Sequence, residues 1–156
     1  MKNAQVVRES IETIWNRGEL DRLSDFYTDD FHWHQSSTSG VFQPGVGLFE
    51  TEPADEWVPG FSGVERIVRL VRTAFPDYHE EPEIVIEDGG LVAVRQIVTG
   101  TNAGSWKFAA TNESFRVVDM MICRVRDGKL AEQWGLFDQY SLITQLHLHE
   151  LATRTS

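Results

Sequence analysis

The second half of the chain restricts the fold most. Glu83 to Glu87, Leu91 to Thr101, Glu113 to Arg126 and Lys129 to Phe137 are successive runs with β-branched and aromatic content. Asp88-Gly89-Gly90 and Asp127-Gly128 join them in pairs. Both connections use residues that tolerate positive φ, so they read as hairpin turns. The pattern predicts an antiparallel meander.

The first half is mostly helical. Val6, Val7, Ile11, Ile14 and Trp15 recur at near-helical spacing and predict a helix from Asn3 to Asn16, stopped by Gly18. Leu20, Leu23, Phe26 and Tyr27 suggest a shorter second helix, and Phe31 to Gln35 a short strand. Ser62-Gly63-Val64-Glu65 matches a capping box. The helix behind it carries Val64, Ile67, Val68, Val71, Ala74 and Phe75 and ends at Pro76. A last helix starts near Gln139. The order predicts an α+β fold: a curved antiparallel sheet wrapped with its N-terminal helices into a cone-shaped α+β barrel. Residues 36–60 stand apart. They mix Gly, Pro and acids with Phe42, Leu48, Phe49 and Trp57, which reads as an inserted loop or flap.

At 156 residues the chain suits a single domain over 1–156. A formal charge of −10 disfavours nucleic acid and anionic membrane surfaces. No apolar run reaches the roughly 20 residues that span a bilayer, and the start, MKNAQVVRES, lacks the apolar core of a signal peptide. The single cysteine, Cys123, excludes an intrachain disulfide. These features point to the cytoplasm. Five Trp and nine Phe supply enough aromatic surface to line a cavity as well as fill a core.

The last strand is the most informative stretch for chemistry. Alternation puts Glu132, Trp134, Leu136 and Asp138 on one face and Gln133, Gly135 and Phe137 on the other. If Trp134 and Leu136 point inward, Asp138 follows, and lost hydration raises its pKa towards that of a general acid/base. Asp138 also stands where it would N-cap the final helix, so both readings stay open. Asn102 reads equally as a donor to a carbonyl oxygen and as a turn residue before Gly104. His32 and His34 share a strand face, but no third ligand is apparent, so no metal is expected. Cys123 reads as a buried structural thiol, and Met121 first as a packing residue. Nothing resembles a phosphate loop or a nucleophile elbow.

Several stretches together resemble the SnoaL-like polyketide cyclases. They are Ala93-Val94-Arg95, Thr99 to Gly104, Arg126 to Asp138 with its Trp134-Gly135-Leu136-Phe137-Asp138 ending, Leu142 to Leu146, Asn16 to Leu20, Tyr27 to Phe31 and Ala74 to Asp77. Much of this is also similar to the wider group of folds like nuclear transport factor 2. The resemblance implies a pocket between curved sheet and helices, a homodimer or larger homo-oligomer, and no cofactor or metal. It implies Asp138 as the general acid/base of an intramolecular aldol ring closure on a hydrophobic carbonyl compound. Asn102, His34 and Gln35 would then orient the substrate, with Trp33, Trp106, Trp134 and Met121 as further substrate-binding residues. The family often has His where this chain has Asn102, and Asn cannot shuttle protons near pH 7. Ketosteroid isomerases carry a carboxylate on the first strand, where this chain reads His34-Gln35-Ser36, so that activity is not expected.

Other functions fit the same pattern. A non-catalytic binder of an apolar molecule needs the hollow without the proton carrier. A hydrolase or dehydratase uses the same fold. A protein-interaction module predicts a filled cone and an exposed apolar patch.

Overall fold

The computed structural model describes residues 2–35, 60–105 and 109–148. The expected flap, except Gly60, and Trp106 lie outside the described residues. Helix α1 covers Asn3–Ser10 and continues as a wider π-helical turn over Ile11–Asn16. A 3₁₀ turn, Leu20–Arg22, leads into the short α2, Leu23–Phe26. Strand β1 is Tyr27–Gln35 and helix α3 is Ser62–Ala74. Four strands follow: β2 His79–Asp88, β3 Leu91–Thr101, β4 Ser114–Arg126 and β5 Lys129–Phe137. Helix α4, Gln139–Gln145, closes the described chain.

The strands make one curved, unclosed sheet in the order β1-β5-β4-β3-β2. The expected meander is β2 to β5, all antiparallel. Asp127 and Gly128, at φ 51° and 77°, form one of its tight turns, as the need for positive φ predicts. The sheet is not wholly antiparallel, because β1 pairs with β5 in parallel. A chain reaching that edge from the other side of α3 can do so, since parallel pairing requires a long connection.

Helix α3 shows why the first half folds onto this sheet. Val64, Ile67, Val68, Val71 and Ala74 recur at helical spacing and are all buried. Each large aliphatic side chain so buried contributes roughly 1.5–3 kcal/mol. They join Val7, Ile11 and Ile14 from the N-terminal helix and Val94, Val98, Val117 and Cys123 from the sheet in one core. The capping box does not form: Phe61 takes the N-cap position without a side-chain bond, and Glu65 pairs with Arg69 instead.

Two strands begin earlier than expected, β1 at Tyr27 rather than Phe31 and β2 at His79 rather than Glu83. The β2 difference has an identifiable cause. A register shift between Pro82 and Ile84 interrupts alternation, leaving Ile84 and Ile86 exposed while Glu80 is buried. Asn16, in the π-helical turn, holds that early segment from its open edge. Its Oδ1 accepts from the Glu80 N–H at 2.7 Å, and its Nδ2 donates to the Glu80 carbonyl at 3.0 Å. The side-chain amide thus satisfies both backbone groups that an edge strand would otherwise leave open.

Candidate active site

The sheet's concave face and the N-terminal helix enclose a recess of about 80 Å³. That is room for several waters or for the end of a small organic molecule, not a whole drug-sized one. Its walls are largely aromatic and aliphatic, including Trp15, Tyr27, Trp33, Met121 and Phe137. Trp15 meets Trp33 edge to face at 6.0 Å, and its indole N–H donates to the Tyr27 hydroxyl at 3.2 Å.

Two acids face this apolar space, Glu80 from β2 and Asp119 from β4. Gln96 of β3 stands directly opposite Asp119 and lies diagonally from Glu80, whose neighbour-but-one Pro82 it pairs with. Cross-strand and diagonal positions bring side chains on one face within reach. Gln96 Nε2 donates to Glu80 Oε2 and to Asp119 Oδ2, each at 2.9 Å. The Tyr78 hydroxyl donates to Glu80 Oε1 at 2.7 Å. Gln96 is only 1% exposed, and its Oε1 has no hydrogen-bond partner among the described residues.

Burial, then the nearby charge of Asp119, pushes the Glu80 carboxyl up to about 8; hydrogen bonds from Tyr78 and Gln96 pull the other way. Burial also raises Asp119, against the Gln96 hydrogen bond. Two carboxyls sharing an amide in low dielectric cannot both ionise readily. Near neutral pH Glu80, at about 8, therefore keeps a proton. The Tyr78 hydroxyl is raised well above its ordinary value by burial and by Glu80. Cys123, also on β4, is pushed up to about 12 by burial and stays a thiol.

Of the residues singled out in the sequence, Trp33 and Met121 line the recess. Trp134, Asp138, His34 and Asn102 stand elsewhere. The recess takes the Gln133, Gly135 and Phe137 face of β5, so Trp134 and Leu136 point outward. Asp138 is exposed and N-caps α4: its Oδ1 accepts from the Ser141 N–H at 3.0 Å and its Oδ2 from the Ser141 hydroxyl at 2.7 Å. Of the two open readings of Asp138 the structure shows the helix cap; the inward-facing one is corrected, because the Trp134 face is the convex one. His34 stacks on Trp134 with ring centres 4.5 Å apart and bonds Glu132 at 2.9 Å, also outside. Asn102 is fully buried but inside a loop. Its Nδ2 donates to the carbonyls of Ala74 and Gly104, and its Oδ1 accepts from the Thr111 N–H and hydroxyl. Gln35 ends β1, and its side chain, like Trp106, lies outside the described residues. Among the described residues no three metal-ligating side chains cluster.

The sequence reading missed Glu80, Gln96 and Asp119. Asp119 carried a usable signal: Val117, Asp119, Met121 and Cys123 share one alternation phase, and an acid among apolar residues is conspicuous there.

The family description for SnoaL-like polyketide cyclases matches residues 47–146, with α3 and all of β2 to α4 included. The chain belongs to the SnoaL-like polyketide cyclase family. Solved structures agree on the fold. IdmH of Streptomyces antibioticus, named as a candidate polyketide cyclase, superposes with a TM-score of 0.74 at 23% identity, covering 94% of this chain and 99% of its own. TsrD of Streptomyces laurentii gives 0.72 at 19% identity, with 92% and 94% covered. An NTF2-like protein of unknown function from Burkholderia pseudomallei gives 0.68 at 21% identity, with 94% and 98% covered. No curated protein matches the sequence. For this SnoaL-like chain the family and fold are therefore settled. No helix among the described residues is long and apolar enough to cross a membrane.

Proposed function

We propose that this SnoaL-like protein is a cofactor-free acid/base enzyme acting on a hydrophobic carbonyl compound, and that Glu80 and Asp119 carry its protons. The observation behind this reading is the amide of Gln96 bridging two carboxyls in an apolar recess. A carboxylate and a carboxylic acid side by side offer a base and an acid at one pH. The base removes a proton from a carbon next to a carbonyl. The acid protonates the developing alkoxide or enolate oxygen. An intramolecular aldol closure or a related isomerisation follows, with the aromatic walls holding the chain folded for attack.

Asp138 remains a second candidate on a specific ground. It follows Phe137 and precedes Gln139, both of which line the recess, and the family resemblance assigns it the acid/base role. The test is proton exchange from activated carbons of a panel of hydrophobic 1,3-dicarbonyl compounds, followed by NMR in deuterium oxide. Positioned acid/base groups contribute about 10²–10⁴-fold. Glu80→Gln and Asp119→Asn should each slow exchange by about 100-fold or more. If Asp138→Asn alone does so, the pair is not the proton carrier. A binder without chemistry would show no exchange above buffer with any variant.

The same reading includes a homodimer. The convex sheet face exposes Ile86 at 62%, Met120 at 53%, Ile122 at 46% and Leu136 at 57%, an apolar surface of the kind that partners cover. Ion pairs Arg95–Glu83 and Arg124–Glu132 lie beside it and place both signs where a second copy would meet them. Sedimentation of a 17.8 kDa chain at twice its mass, reduced to monomer by Ile122→Asp, is the expected outcome. The buried, unpaired Cys123 thiol suits the reducing conditions of a cytoplasm.

A further inference from the structure

Glycine inside a strand has no side chain to pack and loses much conformational freedom on folding. It marks a bulge, a close contact or a place where a ligand approaches the backbone. For Gly135 of β5 the structure excludes the first two reasons. Its φ lies outside the left-handed region. The β4–β5 register runs unbroken from Asp119–Phe137 to Arg124–Glu132. A Cβ at Gly135 would meet nothing among the described residues nearer than the Met120 carbonyl oxygen, at 3.9 Å. Gly100 and Gly104 differ, since a Cβ there would meet Phe115 at 2.9 Å and the Thr73 carbonyl oxygen at 1.9 Å. Packing among the described residues thus requires glycine at 100 and 104 but not at 135.

Gly135 lines the recess, directly across from Met121 and between Gln133 and Phe137 on the same face. We propose that it is the floor of an aryl subsite, where a flat aromatic ring next to the reacting carbonyl lies on bare backbone. Gln133 and Phe137 stand roughly 13 Å apart along the strand, which leaves a ring's breadth between them when Gly135 fills none of it. Met121 bounds the gap across the sheet, and a thioether packs well against a ring. Phe137 and Trp33 supply aromatic neighbours. Ile11 and Trp15 of the N-terminal helix close the space from the opposite side. A slot with a backbone floor and apolar walls suits a ring laid face down better than a bulky or branched group.

The sheet register ties this slot to the chemistry. Asp119 pairs with Phe137, so it lies diagonal to Gly135 on the same face, a spacing of roughly 7–8 Å. A ring centred over Gly135 brings a carbon just outside the ring up to the Asp119 carboxyl. The substrate class that follows is an aryl ketone or aryl 1,3-dicarbonyl. This subsite deepens the proton-transfer reading and rests on the same recess. It makes Gly135 a determinant of which compound is accepted, not a carrier of protons.

The probes are 2,2-dimethyl-1-phenylbutane-1,3-dione and 3,3-dimethylpentane-2,4-dione. They differ by a phenyl in place of a methyl, and neither has a proton between its carbonyls. Binding is followed by calorimetry on the full chain, and folding by thermal unfolding. The parent should bind the phenyl compound at least about tenfold more tightly than the methyl compound, through the extra apolar surface buried. Gly135→Leu fills the slot and should bring the two within about threefold by weakening the phenyl compound. Gly135→Ala should fall between and unfold no lower than the parent. No phenyl preference in the parent, or an unchanged preference in folded Gly135→Leu, would overturn the proposal. Should Gly135→Leu not fold, Gly135→Ala decides by the same comparison. Failure of Gly135→Ala to fold would also overturn it, because the glycine would then be structural. Neither probe carries the proton that the exchange assay reads, so loss of exchange in Glu80→Gln and the size preference at Gly135 stand or fall separately.

Discussion

Gln96 Nε2 lies 2.9 Å from Asp119 Oδ2, directly across the β3–β4 ladder. The same nitrogen reaches Glu80. One amide thus fixes the separation of two acids from different strands and lowers the cost of ionising either. Gln96→Leu removes that donor from both. The variant should shift the Glu80 titration upward from about 8 and move the pH profile of exchange the same way, with Gln96→Asn a partial rescue. An unmoved profile with lowered activity would leave Gln96 as packing only.

Glu80 also makes stability depend on pH. Its folded value of about 8 exceeds the ordinary 4.5, so between these values the folded chain binds the proton more tightly than the unfolded chain. Stability is therefore highest below about pH 4.5 as far as Glu80 is concerned, falls as pH rises towards 8 and then levels. At about 1.4 kcal/mol per unit the change amounts to a few kcal/mol. Urea unfolding at pH 5.5 and pH 8.5 measures it. Glu80→Gln should show a much smaller difference.

Asp138 has a structural task that can be separated from chemistry. Its carboxylate caps α4 through Ser141. Asp138→Ala should cost about 1 kcal/mol of stability, while Asp138→Ser, a comparable cap, should cost much less. Exchange activity in Asp138→Ser should stay within a few-fold of the parent, measured as above.

Asn102 and Gly104 form one structural unit. Four side-chain hydrogen bonds hold buried Asn102 between α3 and the Thr111 loop. A Cβ on Gly104 would meet the Thr73 carbonyl oxygen at 1.9 Å, closer than any real contact. Asn102→Ala strands several buried partners and should cost roughly 3 kcal/mol or more. Gly104→Ala should cost a similar amount through forced displacement of α3's end. Thermal unfolding checks both.

Much of the fold was legible. Burial alternates along β3 from Val92 to Gln96, and the Asp127-Gly128 turn states its geometry in its composition. The site was harder for two physical reasons. The sequence reading starts β2 at Glu83, which leaves Glu80 outside it, and the break in register between Pro82 and Ile84 then buries Glu80 while turning Ile84 and Ile86 outward. The Trp134 face looked like the inner one because tryptophan is usually buried, yet Trp134 lies under the stacked His34 ring and near Arg124 on the convex side. Asp119 shows the opposite case, an acid standing in the apolar phase of its strand.

The central claim is that Glu80 and Asp119 together keep a proton at neutral pH. Carbon-13 NMR of the side-chain carboxyls across pH 3 to 10 reads this without any substrate. The account predicts a carboxyl of this pair titrating at about 8, moved or lost in Glu80→Gln. Two carboxyls both fully ionised by about pH 5, as ordinary acids are, would contradict it.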